Sequence, residues 1–540
     1  MHSAPTLADA RRVLQDWFGY PDFRGEQARV IEAALAGRDV LALMPTGAGK
    51  SVCFQIPAEL APGTTLVVSP LISLMSDQVT RLHGLGVPAG ALHGALPRAD
   101  RERTLGAFAA GDLTLLYVAP ERFRSPAFLG ALKGVRIARL AVDEAHCIVS
   151  WGGSFRPAYR ALGDVRAGLG CPCTALTATA TPAARAEIAE RLALVSPVVI
   201  ASGVDRANLR WEVERLRTRR EKDRRLIELV PRVGEGCTLV YAATRRTTDS
   251  LADLLRARGV DAVAYHAGVA DRERARIQVR FTAGDARVVV ATSAFGMGID
   301  RPDVRAVVHY DMPGALEDYV QEAGRAGRDG GPARCVLLYA PGDEKVQRDL
   351  LRLAHPSRRI LRSVLAILRR RALGADRGAP PARGVGARAP VARHGEGSDR
   401  WPAARVRPVE ILGAVRALAG PQQLEAALRI LAECGLVRAP AGGAGSPEPW
   451  AVSPGGSPGG APLGQDRRAL ARELANLAAM RAYARSTRCR RARILAHFGE
   501  TGSPRSCANC DACGRAPTLD ALARSPAPRT GPLFVDGVRS

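Results

Sequence analysis

The sequence predicts an α/β protein built from two tandem parallel-sheet domains, followed by a mostly helical C-terminal region. Three observations predict it. Short runs rich in Val, Leu and Ala alternate with helical patterns from residue 30 to about 200; a second series of the same kind follows; and after residue 345 the apolar spacing turns helical and ends in a cluster of cysteines.

The first series is DVLALM, TTLVVSP, LTLLYVAP, RIARLAVDE and CTALTAT, and the second is CTLVYAAT, DAVAYHAG, ARVVVATSA, VRAVVHYDM and ARCVLLYAP. Alternation of this kind signals parallel strands joined by crossover helices. The predicted domains are 1–205 and 206–345, with the join near Asp205 to Arg210. A helical connection follows over 346–373. Residues 374–400 lose apolar periodicity while gaining Gly, Pro and Arg, which predicts a disordered linker. Two amphipathic patterns and a short apolar run over 401–440 predict either a small winged-helix-like unit or a plain helical hairpin. A Gly/Pro linker over 441–464, a helical segment with the cysteines over 465–515, and a tail over 516–540 complete the chain.

The chain of 540 residues carries a formal net charge of +24. A balance so basic favours a polyanionic partner, although the abundance of Arg, Ala and Gly accounts for the bias equally well. Only Lys50, Lys133, Lys222 and Lys345 are lysines. The start, MHSAPTLADARRVLQDW, has no apolar core of signal-peptide length, and no apolar run approaches a bilayer span. The expectation is a soluble, intracellular chain with no membrane partner, whose eleven cysteines are reduced thiols.

MPTGAGKS at 44–51 follows a strand run and precedes an apolar helix, the context a phosphate-binding loop needs. Gly47 and Gly49 would let backbone N–H groups face the phosphates, with Thr46 and Ala48 completing the turn. Lys50 would reach the β and γ phosphates, and Ser51 would offer its hydroxyl to Mg2+. LAVDEAH at 140–146 is an apolar run ending in two adjacent acids. Asp143 would hold the Mg2+ shell and Glu144 would orient or deprotonate the attacking water.

At this point the blocks FGYPDFRGEQ, MPTGAGKS, VVSPLISLMSDQ, YVAPER, AVDEAHCIVSWGGSFRPAY, LTATAT, ATSAFGMGIDRPDVR and YVQEAGRAGRDG resemble those of RecQ-family superfamily 2 helicases. The resemblance runs from about residue 13 to 341 and resumes at 480–513; GVDRANLR at 203–210 is similar to the family's connection between motor lobes. It implies two RecA-like lobes closing on ATP. Tyr20, Arg24 and Gln27 would hold the adenine. Gln321, Arg325 and Arg328 would face the phosphates across the cleft, with Arg328 as arginine finger. Trp151, Phe155 and Arg156 would touch single-stranded DNA, LTATAT would link the lobes, and AFGMGID would sense DNA and nucleotide together. Gly153 and Ser154 depart from the histidine and aspartate that the family usually has there.

The resemblance also implies a 3′ to 5′ DNA helicase that hydrolyses ATP, acts on single-stranded and duplex DNA in repair or recombination, and resides in the cytoplasm with the nucleoid. Single-strand DNA-binding protein or other repair proteins would be its partners. An RNA helicase and a strand-annealing scaffold with weak ATPase are the rival readings.

Cys489, Cys507, Cys510 and Cys513 follow the pattern Cys-x17-Cys-x2-Cys-x2-Cys. Four thiolates so spaced suit structural Zn2+, with an iron–sulfur cluster and unliganded thiols as alternatives. The preceding RAYARSTRCRRARILAHFGE resembles the family's zinc-binding segment. Asp511 and His497 read as surface and core residues rather than ligands. In the best-known family layout a winged helix follows the zinc segment, whereas only 27 residues follow Cys513 here, so any such element must precede the cysteines.

Overall fold

Every residue of the strand Val40–Leu43 (β1) is buried, because β1 lies inside a sheet covered on both faces. Leu41 and Leu43 join one apolar layer while Val40 and Ala42 join the other. Period-two alternation thus feeds two cores at once, and the sequence reads as a continuous apolar run.

The computed structural model describes residues 5–45, 47–149, 157–234, 236–295, 301–375, 420–438, 451–453, 460–500 and 506–514. The described chain forms two compact units, Met1–Asp343 with Leu477–Ser540, and Glu344–Asn476. In the first unit β1 is joined by β2 (Thr64–Val68), β3 (Ala89–Leu92), β4 (Leu115–Val118), β5 (Ile137–Val142), β6 (Cys173–Thr177) and β7 (Val198–Ala201), in the order β3-β4-β2-β5-β6-β1-β7. All pairs are parallel. The second sheet of this unit holds β8 (Leu209–Arg215), β9 (Cys237–Tyr241), β10 (Ala262–Tyr265), β11 (Val288–Ala291), β12 (Val304–His309) and β13 (Ala333–Tyr339). Its order is β10-β11-β9-β12-β13-β8, again all parallel. These are two RecA-like parallel-sheet domains, and the chain passes from one to the other between Ala201 and Leu209.

Ten of the strands coincide with the ten apolar runs of the sequence. The three that those runs do not show, β3, β7 and β8, are all edge strands. An edge strand needs apolar side chains only where it touches its single neighbour: β7 leaves Val199 half exposed, and β8 alternates charge in LRWEVER. Leu209, Trp211 and Val213 are buried, and so are Arg210 and Glu212, which pair with each other at 3.2 Å while Glu212 also takes Arg334 at 2.7 Å; Arg215 is exposed.

The unit Glu344–Asn476 has its own apolar core. Leu361, Val364, Leu365 and Leu368 of the helix Arg358–Ala375 pack with Leu424, Ala427, Leu428 and Leu431 of the helix Pro421–Glu433. Val437 and Val452 close that core from a two-stranded antiparallel ribbon, β14 (Val437–Arg438) with β15 (Ala451–Val452). Two sequence boundaries need correcting. Gly374 and Ala375 end a helix rather than begin a linker, because that helix continues past its last core residue, Leu368. The stretch 441–464 contains β15 and the start of the helix Gly460–Arg485; a two-residue strand carries too little apolar pattern to stand out among Gly and Pro. Residues 376–419 and the tail 515–540 lie outside the described residues.

Candidate functional site

β5, β6 and β1 are neighbours in the first sheet, so the loops leaving their C-terminal ends converge. The loop after β1 is the predicted phosphate loop. Gly47 (φ +85°) and Gly49 (φ +69°) sit in the left-handed region that favours glycine. The helix Val52–Leu60 begins directly after Ser51, whose side chain makes no capping bond. Lys50 Nζ donates to the carbonyl of Met44 at 3.3 Å, folding the side chain back over the loop. Thr46 lies outside the described residues.

Gln27, at the start of the helix Gln27–Leu35, is buried against this loop. Its Nε2 donates to Ala48 O (2.9 Å) and Gly49 O (3.1 Å), while its Oε1 accepts from Arg24 N at 2.9 Å. A Cβ at Gly49 would stand 2.5 Å from Gln27 Nε2, so the second glycine is also a packing requirement. The Arg24 guanidinium lies 4.5 Å from the centre of the Tyr20 ring. Tyr20, Arg24 and Gln27 thus form one cluster beside the loop.

The loop after β5 carries the acids. Glu144 adopts φ 48°, ψ 48°, a left-handed conformation costly for a residue with a Cβ and concentrated at functional sites. Burial, then the neighbouring Glu144, push the Asp143 carboxyl above the usual range, against the pull of Lys50. Burial also opposes charge on Glu144, but its hydrogen bond with His146 and the charges of His146, Lys50 and Arg325 hold that carboxyl low. His146 Nδ1 lies 3.2 Å from Glu144 Oε2 and 3.1 Å from Thr177 Oγ1, and Thr177 Oγ1 donates to Thr179 O at 3.3 Å. The acid pair is thereby joined to the LTATAT segment.

The second sheet supplies cations to the same place. Arg328 lies against the phosphate loop: a Cβ on Gly47 would stand 3.5 Å from its Cγ. Arg325 is buried, and its charge acts on Glu144 and on the Tyr241 phenol. Gln321 is half-buried on the helix Leu316–Ala323 that leads into both arginines. Among the described residues the fold therefore gathers Gln27, Gly47, Gly49, Lys50, Ser51, Asp143, Glu144, Arg325 and Arg328 in one cleft.

Sequence reasoning passed over the groups that hold the arginine loop. Arg206 Nη1 donates to Gly324 O at 2.7 Å, and its Nη2 bonds Gly327 O. Asn208 Nδ2 donates to Gly327 O (2.8 Å) and Gly331 O (2.7 Å). Gly327 (φ +54°) has no room for a Cβ, which would meet Asn208 Nδ2 at 2.5 Å. Arg305 pairs with Asp329 from the other side. The available signal was GVDRANLR, whose Arg and Asn stand between two strand runs with no helix face to occupy.

The cysteines come together. The ligand atoms of Cys489, Cys507, Cys510 and Cys513 all lie within 4.8 Å of one another. Tetrahedral zinc with Zn–S of about 2.3 Å holds its sulfurs roughly 3.8 Å apart, so the donor set fits Zn2+. Ala492 N and Asn509 N donate to the sulfurs of Cys489 and Cys507 (both 3.4 Å). Asp511 takes both Arg490 Nε (2.8 Å) and Nη2 (2.9 Å) and accepts from Val213 N (3.2 Å), while Cys510 bridges to Trp211 on the β8 edge. Asp511 thus docks the cluster on β8, and His497 lies 3.0 Å from Glu317. Trp151, Gly153, Ser154, Phe155, Arg156 and residues 296–300 of AFGMGID lie outside the described residues.

Comparisons with known proteins agree with this arrangement. Residues 24–188 match the DEAD/DEAH box helicase family, 221–330 the helicase conserved C-terminal domain, and 461–514 the RecQ zinc-binding family. An ATP-dependent DNA helicase RecQ of Synechocystis sp. is 42% identical over 63% of this chain and 72% of its own length. A probable ATP-dependent DNA helicase RecS of Bacillus subtilis is 39% identical over 67% and 73%. The chain belongs to the RecQ helicase family. Other RecQ relatives are longer: the chain spans 54% of the Pasteurella multocida protein, at 42% identity over 63% of its own residues. Among solved structures, the yeast RNA-bound Dbp5 (TM-score 0.51, 65% of this chain and 91% of that one) and the DNA-bound DUF1998 helicase MrfA (TM-score 0.52, 64% and 53%) are each 18% identical and share the fold. No helix among the described residues of this RecQ-family chain is long and apolar enough to cross a membrane.

Proposed function

We propose that this chain is an ATP-dependent DNA helicase that translocates 3′ to 5′ on single-stranded DNA and separates duplexes in repair or recombination. One observation carries the reading: Arg328 of the second sheet lies on the phosphate loop of the first while the charge of Arg325 bears on Glu144. Phosphoryl transfer needs positioning and charge neutralisation more than covalent chemistry, and this cleft offers both only when the lobes meet.

Gln27, Arg24 and Tyr20 would hold the base, and the loop amides with Lys50 would hold the phosphates. The donor set fits Mg2+: the Ser51 hydroxyl makes no capping bond, and the Asp143 carboxyl sits in a site that penalises its charge unless a cation answers it. When bound, Mg2+ supplies Lewis-acid neutralisation of the phosphate oxygens. Glu144, kept ionised by His146, would orient the attacking water, and Arg325 and Arg328 would stabilise developing charge. Trp151, Phe155 and Arg156 would engage DNA. Single-strand DNA-binding protein and other repair proteins are the proposed partners, at the nucleoid.

The deciding experiment is ATP hydrolysis by the chain and its Lys50→Ala variant without nucleic acid, with single-stranded DNA and with single-stranded RNA. Stimulation by DNA that vanishes in the variant supports the motor. Stimulation by RNA alone points to an RNA helicase, and no stimulation with zinc bound and the fold intact points to a strand-annealing scaffold.

A further inference from the structure

The unit Glu344–Asn476 carries an arginine stripe that the proposed motor chemistry does not use. Its helix Arg358–Ala375 holds six arginines, Arg358, Arg359, Arg362, Arg369, Arg370 and Arg371, and no Asp or Glu. Leu361, Val364, Leu365 and Leu368 fix the opposite face in the apolar core. Arg369 Nε donates to Ser453 O at 3.0 Å, tying the helix to the end of β15. Arg358, Arg359, Arg362 and Arg370 are exposed, and no carboxylate among the described residues pairs with them. Other arginines of this unit are matched along their own helices: Arg348 with Glu344 (2.7 Å), Arg352 with Asp349 (3.1 Å) and Arg429 with Glu433 (3.2 Å).

Arg359, Arg362, exposed Ala366 and Arg370 are spaced by three and four residues, so they line one face of the helix. From Arg359 to Arg370 the stripe rises roughly 16 Å, the length of about five phosphates along one strand of a duplex. A single small anion would meet one or two of these groups. A polyanion of regular spacing would meet all of them, with Ala366 allowing close approach.

We propose that this stripe binds the phosphate backbone of duplex DNA without regard to sequence. The choice of duplex rests on the stripe itself: the helix Arg358–Ala375 interleaves its arginines with no Phe, Tyr or Trp, and single strands are held by stacking bases on aromatic rings. Phosphate contacts from a rigid helix need no such platform. The assignment of DNA as the polyanion rests on the helicase reading above.

The test is fluorescence anisotropy of a labelled blunt 20-base-pair duplex across a salt series, using the full chain and the triple variant Arg359→Ala, Arg362→Ala, Arg370→Ala. The replaced side chains are exposed, and circular dichroism melts check the fold. Duplex affinity should fall at least tenfold, and the slope of log K against log salt should flatten by about 2–3 as those phosphate contacts are lost. The matching triple Lys variant should restore most of both, while ATP turnover stimulated by single-stranded DNA should be unchanged. An unaltered duplex affinity and salt slope in the Ala variant overturns the proposal, as does binding to anionic phosphatidylglycerol vesicles without binding to duplex. Motor failure is a separate result: loss of stimulated ATP turnover in the wild type, with stripe-dependent duplex binding intact, refutes the helicase reading and leaves the stripe standing.

Discussion

Arg206 and Asn208 show how a residue can matter without touching the nucleotide. Together they take the carbonyls of Gly324, Gly327 and Gly331, and so fix the loop on which Arg325 and Arg328 stand. Removing an arginine finger costs about 10³–10⁵ in turnover, and misplacing one by about 1 Å costs roughly 10². On the proposed reading, Arg328→Ala should lie in the first range, and Asn208→Ala should lower kcat about 10- to 100-fold with a nearly unchanged KM for ATP. Steady-state ATP hydrolysis with saturating single-stranded DNA separates the two parameters; a pure KM effect in Asn208→Ala would remove its positioning role. Gly49 makes the complementary case. Its left-handed φ and the 2.5 Å approach to Gln27 mean that Gly49→Ala should abolish nucleotide binding while leaving the sheet intact, as titration with a fluorescent ATP analogue and a melting curve would show.

At the scale of elements, the unit Glu344–Asn476 contains a clamp. His355 follows the helix Asp343–Ala354, and its buried ring donates Nδ1 to Asp466 (2.8 Å) and Nε2 to Glu473 (3.0 Å), both on the helix Gly460–Arg485. Burial opposes the charged ring, yet the two carboxylates push its pKa up to about 9. A group raised in the folded state contributes stability that is complete below its unfolded value of about 6.5 and is lost as pH rises through the folded value. The shift corresponds to roughly 3 kcal/mol. Melting of the full chain should therefore show a transition that weakens between pH 7 and 9.5, and His355→Gln should lower that transition at pH 6.5 and flatten its pH dependence. Equal pH slopes in the two proteins would show that other groups set the dependence.

For the molecule as a whole, the cysteine segment is tied to the helix Pro182–Arg191 of the first domain, to the connection between the domains and to β8 of the second. Arg185 Nη2 donates to Phe498 O at 2.7 Å, Glu500 accepts from Val204 N, Arg491 pairs with Asp205, and Asn509 donates to Ala207 O at 3.0 Å. Zinc held by the four thiolates would therefore also brace the connection between the two domains. Metal removal with a strong chelator should lower the melting temperature and the DNA-stimulated ATP turnover together, with one zinc recovered per chain by elemental analysis. A brown chromophore and recovered iron would instead favour a cluster, and unchanged melting after complete removal would make the metal dispensable to the fold.

The sequence by itself determined the two parallel sheets, because strands buried on both faces must be apolar without interruption, and it determined the phosphate loop, the acid pair and the four cysteines, because each is local in the chain. Tertiary structure alone decided the rest. β3, β7 and β8 were illegible because edge strands need little apolar pattern. The pairing of Arg328 with Gly47, the hold of Arg206 and Asn208 on the arginine loop, and the clamp of Asp466 and Glu473 on His355 join residues about 110 to 280 positions apart, across separations that no periodicity records. Local pattern reports which face of an element is buried; which elements meet is fixed only when the sheets and helices pack.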